Sequence, residues 1–267
     1  MSDFTRPHFA GLVLNFSAAA IFIMTAATAY AWHLPGDLKN SDLNEVTQIV
    51  GYGTSTKFLS NPYPLGGHSG FEVGITSEFI DTTDLARLGS GNGDETSLVY
   101  NRITIGKGLY HNVDVYIDFV PFVNSNQISE YGGMAKWAFY EADSLPLTLS
   151  ALIHYDSFNI DDEFINQTLG TDLMTGWNLK NYALYFGGGV LYGSNKFMNT
   201  ILDMSDPANQ AASPTGSPND PNGYLKENGK RDHFFFGMDV ELSPYFISAQ
   251  IDSYQETVYS LKLGYRL

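Results

Sequence analysis
The sequence predicts an all-β chain: a transmembrane antiparallel up-and-down β-barrel of about ten strands, with eight or twelve as alternatives, and a short N-terminal helix. Three observations predict it. Much of the chain alternates apolar and polar residues with a period of two, the pattern of a strand with one apolar face. Aromatic residues make up 14% of the chain and charged residues only 16%, a balance that suits a lipid-facing wall with aromatic belts. Turn-forming stretches separate the alternating runs in a rhythm of long and short connections, as in a barrel whose two rims differ.

The last strand, 256–267, carries the pattern most clearly. Tyr259, Leu261, Leu263, Tyr265 and Leu267 form one face; Val258, Ser260, Lys262, Gly264 and Arg266 form the other. The ending Leu263-Gly264-Tyr265-Arg266-Leu267 resembles the C-terminal targeting strand of bacterial outer-membrane β-barrels, which usually end in Phe where this chain has Leu267. The resemblance covers this strand and, loosely, the overall pattern. It implies a Gram-negative outer-membrane location, with outer-membrane lipid and the barrel assembly machinery as partners. It also makes Tyr259, Leu261, Leu263, Tyr265 and Leu267 the membrane-insertion signal. It implies no particular activity.

Residues 1–31 read as a secretory signal. Arg6 supplies positive charge, residues 10–24 are largely apolar, and Ala29-Tyr30-Ala31 is an A-x-A cleavage pattern. A cut after Ala29 is an alternative. A transmembrane anchor is the competing reading, but the apolar run is short for one and no Lys/Arg cluster follows it. The expected division is therefore a signal at 1–31, a periplasmic segment at 32–67 and a barrel at 68–267. The chain has no cysteine, which excludes a disulfide framework and thiol catalysis, and its formal net charge of −15 lacks the basic footprint of a nucleic-acid binder.

Within 32–67, Asp42 and Glu45 have capping-box spacing, and Leu43, Val46, Ile49 and Val50 follow at helical spacing before Gly51 and Gly53. A helix is expected at about 42–50. Asn61-Pro62-Tyr63-Pro64 and Gly66-Gly67 make a stiff connection into the first strand. The segment is expected to cap the barrel, its apolar stripe packed on the rim. The alternative is a plug inside the lumen, which an apolar stripe suits poorly.

Strands are expected at about 69–80, 96–107, 113–119, 132–141, 147–157, 177–192, 196–203, 231–242, 245–254 and 257–267. The sixth is overlong and the seventh is the weakest. Residues 81–95, 124–131, 158–176 and 204–230 are the long connections. An end at Leu267 in the periplasm puts all four on the outside, which agrees with the asymmetry of such barrels.

Ten strands enclose a narrow lumen. The alternation turns Glu72, Glu78, Asp114, Asp118, His154, Asp156, Asp239, Glu241 and Asp252 inward with Arg102, Lys136, Lys262 and Arg266. Charges in so narrow a space must pair or stay wet. One reading is a salt-bridge network that fills the barrel. The other is a thin, cation-preferring pore, because acids outnumber bases. The function expected first is a narrow porin-like channel for passive transport of small solutes. The rival is a non-conducting structural or surface-recognition barrel acting through its outer loops.

No catalytic residue, metal site or cofactor is expected. Asp232 and His233 are adjacent and so face opposite sides of a strand, unlike the Asp-x-His of omptin-like proteases. Ser150 and His154 share a face but lie roughly 13 Å apart along it. His68-Ser69 alternate in facing. Gly187-Gly188-Gly189 lacks the Lys and Ser/Thr of a phosphate loop and reads as a bend in the wall. Asp161-Asp162-Glu163 lacks EF-hand spacing and reads as solvated loop charge. Asn166-Gln167-Thr168 is a sequon by letter only.

Overall fold
The computed structural model describes residues 32–91, 96–121, 128–212 and 223–267. The expected signal at 1–31 lies outside them. Ten antiparallel strands are described: β1 (Phe71–Asp81), β2 (Ser97–Gly108), β3 (Val113–Phe119), β4 (Ile128–Glu141), β5 (Leu147–Ile160), β6 (Phe164–Leu179), β7 (Tyr182–Met198), β8 (Tyr224–Leu242), β9 (Tyr245–Ser253) and β10 (Thr257–Arg266). Each pairs with its sequence neighbours, and β1 pairs with β10 to close the barrel. The expected fold class and strand number therefore hold.

The pleat sorts side chains as the alternation requires. Along β1, Glu72, Thr76, Glu78 and Ile80 are buried inside, while Phe79 stands exposed outside. The outer wall carries exposed Phe139, Ile153, Leu169, Leu173, Phe186, Phe234, Phe236, Ile251 and Leu261. Such a wall is stable only where hydrocarbon replaces water. Outward aromatics gather near the short-turn ends of their strands (Trp137, Trp177, Tyr182) and again toward the other ends (Phe79, Tyr131, Tyr155, Tyr192, Tyr259). Tyr259, Leu261 and Leu267 are exposed on this wall and Leu263 and Tyr265 half-buried.

Four expected connections differ. Residues 128–131, expected in a loop, begin β4. Residues 158–176 are mostly strand: the chain reverses at 161–163, where Asp161 and Asp162 have φ of 51° and 60°, and β6 follows at once. Its outward set includes Gln167, Thr171 and Thr175 among Ile165, Leu169, Leu173 and Trp177, which dilutes the period. Residues 177–203 do not split at 193–195. The reversal is at Lys180, φ 64°, and β7 runs unbroken through Gly193. That glycine marks a close approach, since a Cβ there would press on the ring of Tyr52. Residues 224–230, placed in a loop, begin β8.

The N-terminal segment does not sit on a rim. Helix α1 (Leu43–Val46) continues as a π-helical turn, Thr47–Gly51, inside the barrel at its long-connection end. The expected capping box does not form; Asp42 accepts from the Lys39 N–H at 3.0 Å instead. The apolar stripe is accommodated because that end of the lumen is apolar. Leu43, Val46, Ile49, Val50 and Tyr52 pack with Ile80, Leu98, Tyr100, Phe158, Ile160, Phe164, Phe197, Leu225 and Val258. A further short helix, α2 (Pro207–Ala212), lies in the connection between β7 and β8, where Asn209 donates to the Leu38 carbonyl at 2.9 Å.

Candidate functional site: the filled lumen
Below α1 the chain threads the barrel toward its short-turn end, and each step bonds to an inward strand residue. Lys57 Nζ meets Glu78 at 2.6 Å, with neither side chain reachable by water. Thr56 donates to Asp118 at 3.0 Å and Ser60 to Glu72 at 2.6 Å. The Leu65 N–H donates to Asp114 at 3.1 Å. Lys136 reaches the Asn61 and Tyr63 carbonyls at 2.9 and 2.7 Å. Between these polar steps Phe58 inserts among Tyr116, Met134, Leu152, Met174, Tyr185 and Phe235 as a second apolar cluster.

The wall residues also pair with one another. Arg102 bridges Glu78 at 2.7 Å, Asp118 at 3.3 Å and Glu130 at 2.7 Å. Lys136 holds Asp114 at 3.0 Å. Lys262 and Arg266 hold Glu72 at 2.6 and 2.8 Å, and Arg266 also reaches Asp239 at 3.1 Å. Gln250 donates to Asp252 at 2.8 Å. Asp156 accepts from Thr56 at 3.5 Å. Isolated, each of these charges would be costly in a dry interior; paired and hydrogen-bonded, the penalty is largely offset. Among the described residues nine carboxylates are nevertheless buried (Glu72, Glu78, Asp114, Asp118, Glu130, Asp156, Asp172, Asp239, Asp252) against Lys57, Arg102, Lys136, Lys262 and the less buried Arg266.

Twelve of the thirteen inward residues expected from the sequence are gathered here. Glu241 has the inward phase but lies exposed at the short-turn rim. Sequence reasoning missed Lys57 because it lies on no strand, and Glu130 and Asp172 because both fell in expected loops. It also left His233 out of the lumen set. Asp172 brings two histidines together: His154 Nε2 lies 3.2 Å and His233 Nε2 2.7 Å from its two oxygens. The three are buried, and their ligand atoms lie within 4.8 Å of one another, as a metal site requires. His154 thus turns away from Ser150, whose hydroxyl has no partner among the described residues.

No protein-family model and no curated protein sequence matches the chain. Forty-nine solved chains match its structure. The N-terminal β-barrel domain of Pseudomonas aeruginosa OprF matches with a TM-score of 0.37 and 10% identity, over 75% of this chain and 99% of that one. The KdgM porin in complex with disordered oligogalacturonate matches at 0.36 and 9%, over 73% and 98%. Ail, the attachment invasion locus protein of Yersinia pestis, matches at 0.31 and 11%, over 74% and 97%. These are outer-membrane β-barrels, to which this chain is similar in architecture. Its own strand register and outward apolar wall are what make it a transmembrane barrel.

Proposed function
We propose that this protein is a bacterial outer-membrane barrel that conducts no solute and serves as a closed platform. Its working surface is then the long-connection end, facing the cell exterior. One observation carries the reading: four of the carboxylates that would give a cation pore its selectivity, Glu78, Asp118, Glu72 and Asp114, are already bonded to Lys57, Thr56, Ser60 and Leu65 of the chain's own N-terminal segment. Passive transport of solutes would require that segment to leave, stripping each of those groups of its partner. The test is planar-bilayer recording of refolded residues 32–267 under a salt gradient. Silence from protein whose heat-modifiable gel mobility reports a folded barrel is expected. Discrete cation-selective steps would overturn the proposal in favour of a channel.

A further inference from the structure
We propose that His154, Asp172 and His233 form a buried site for a divalent transition-metal ion of the zinc type, tying β5, β6 and β8 together inside the lumen. The ligand chemistry is two imidazoles and one carboxylate, a set that suits Zn²⁺ and leaves a fourth position for water. Ligands around tetrahedral zinc, with bonds of about 2.0–2.1 Å, sit roughly 3.3 Å from one another. His154 Nε2 lies 3.2 Å from one Asp172 oxygen, close to that spacing, and His233 Nε2 lies 2.7 Å from the other in a hydrogen bond that metal entry would replace.

The backbone makes room for this cluster. Gly189, last of the three-glycine run in β7, is paired with Asp172 on one side and His233 on the other. A side chain there would stand between them; a Cβ would already overlap the Asp172 carboxylate. Gly170 is paired with His154, and a Cβ there would overlap the imidazole ring. The run thus lets residues on β6 and β8 meet across a strand that contributes no side chain between them.

Two further observations point to a cation. Both nitrogens of His154, and Nδ1 of His233, are buried without a hydrogen-bond partner among the described residues. His154 Nε2 in particular faces the Asp172 carboxylate at 3.2 Å, where a shared cation would sit between them. The lumen also carries more buried carboxylate than buried cation, and a dication would offset part of that excess. Tyr254 stacks on His233, 5.1 Å between ring centroids at 10°, and fixes the plane of that ligand.

Because the lumen is packed, metal must be supplied before closure. Residues 32–267 would be refolded in detergent with ZnCl₂, or CoCl₂ as a spectroscopic probe, then dialysed against chelator. One metal ion retained per folded barrel is expected, with the intense visible bands of tetrahedral cobalt. The His154→Gln/His233→Gln pair should retain none while keeping heat-modifiable mobility. Zinc present at a hundred times its dissociation constant should favour the folded form about a hundredfold. Absence of retained metal, or the weak bands of octahedral cobalt, would overturn the site even if the double variant fails to fold. So would equal retention by the variant. None of these readouts depends on whether the barrel conducts.

Discussion

Lys57 shows how much rests on single side chains. Its ammonium donates to Glu78 and to the Gly53 and Ser55 carbonyls at 2.6, 2.7 and 2.9 Å. Lys57→Met leaves Glu78 with Arg102 as its one remaining cation among the described residues, in a site closed to solvent. Leaving a buried charge with no partner costs about 3–5 kcal/mol; with Arg102 retained, the loss falls below that range. The urea midpoint of the refolded barrel should fall accordingly, and Lys57→Met/Glu78→Gln should recover part of the loss. Gly189 makes the opposite demand, for the absence of a side chain. Gly189→Val places a branched Cβ against the Thr171 carbonyl and the Asp172 carboxylate. Overpacking of this kind costs typically about 1–3 kcal/mol, and a lower refolding yield at fixed urea would report it. The sequence marked this glycine as a feature of the wall, but not its reason, because the groups it admits come from two other strands.

At the scale of elements, α1 and its π-helical continuation bind by apolar burial, whereas 54–65 binds by polar bonds on either side of a smaller apolar cluster around Phe58. Ile49 is 1% exposed within the upper cluster. Ile49→Ala should destabilise by about 2–5 kcal/mol, seen as an earlier loss of heat-modifiable mobility. The hairpins above this cluster respond to pH. Partial burial pushes the carboxyls of Asp161, Glu163 and Glu256 upward, and acidic neighbours add to this: Asp162 for Asp161, Asp161 for Glu163, and Asp84 with Asp81 and Glu45 for Glu256. A carboxyl whose folded pKa is raised binds protons more readily when folded. Its contribution is complete below the unfolded carboxylate range and disappears as pH rises through the raised value. Hydrogen exchange in 161–163 and 254–256, corrected for intrinsic rate, should therefore show more opening at pH 7 than at pH 4. The alternation read β1, β3, β5, β9 and β10 closely. It failed at 158–203, where outward Gln167, Thr171 and Thr175 remove the contrast between faces and inward glycines look like turns.

At the scale of the whole molecule, closure puts the long connections at one end, together with the short turns at 161–163 and 254–256, and only short turns at the other. The chain has no cysteine, so single cysteines report the two ends cleanly. Cysteine at Ser205, between β7 and β8, should react with an impermeant maleimide on intact cells. Cysteine at Asn181, in the β6–β7 turn, should not. Reversal of that pattern would invert the barrel. Closure also converts the predicted set of inward charges into an occupied lumen, and of the two alternatives the alternation left open, filled or conducting, the packing of 54–65 favours the first.

The sequence by itself determined the wall. Facing is a local property: the pleat repeats every two residues, so an ordered row of apolar and polar side chains fixes which side meets lipid without reference to any other strand. Most of the inward carboxylates came with it; the count of ten agrees although the alternation reads β6 as a connection and β7 as two strands. What only the tertiary structure decided is what those carboxylates meet. Glu78 meets Lys57 from a segment with no strand period, and Asp172 meets His233, 61 residues away, across Gly189. Such partners are set by the closed circle of strands and by the space their glycines leave, quantities that no local period encodes.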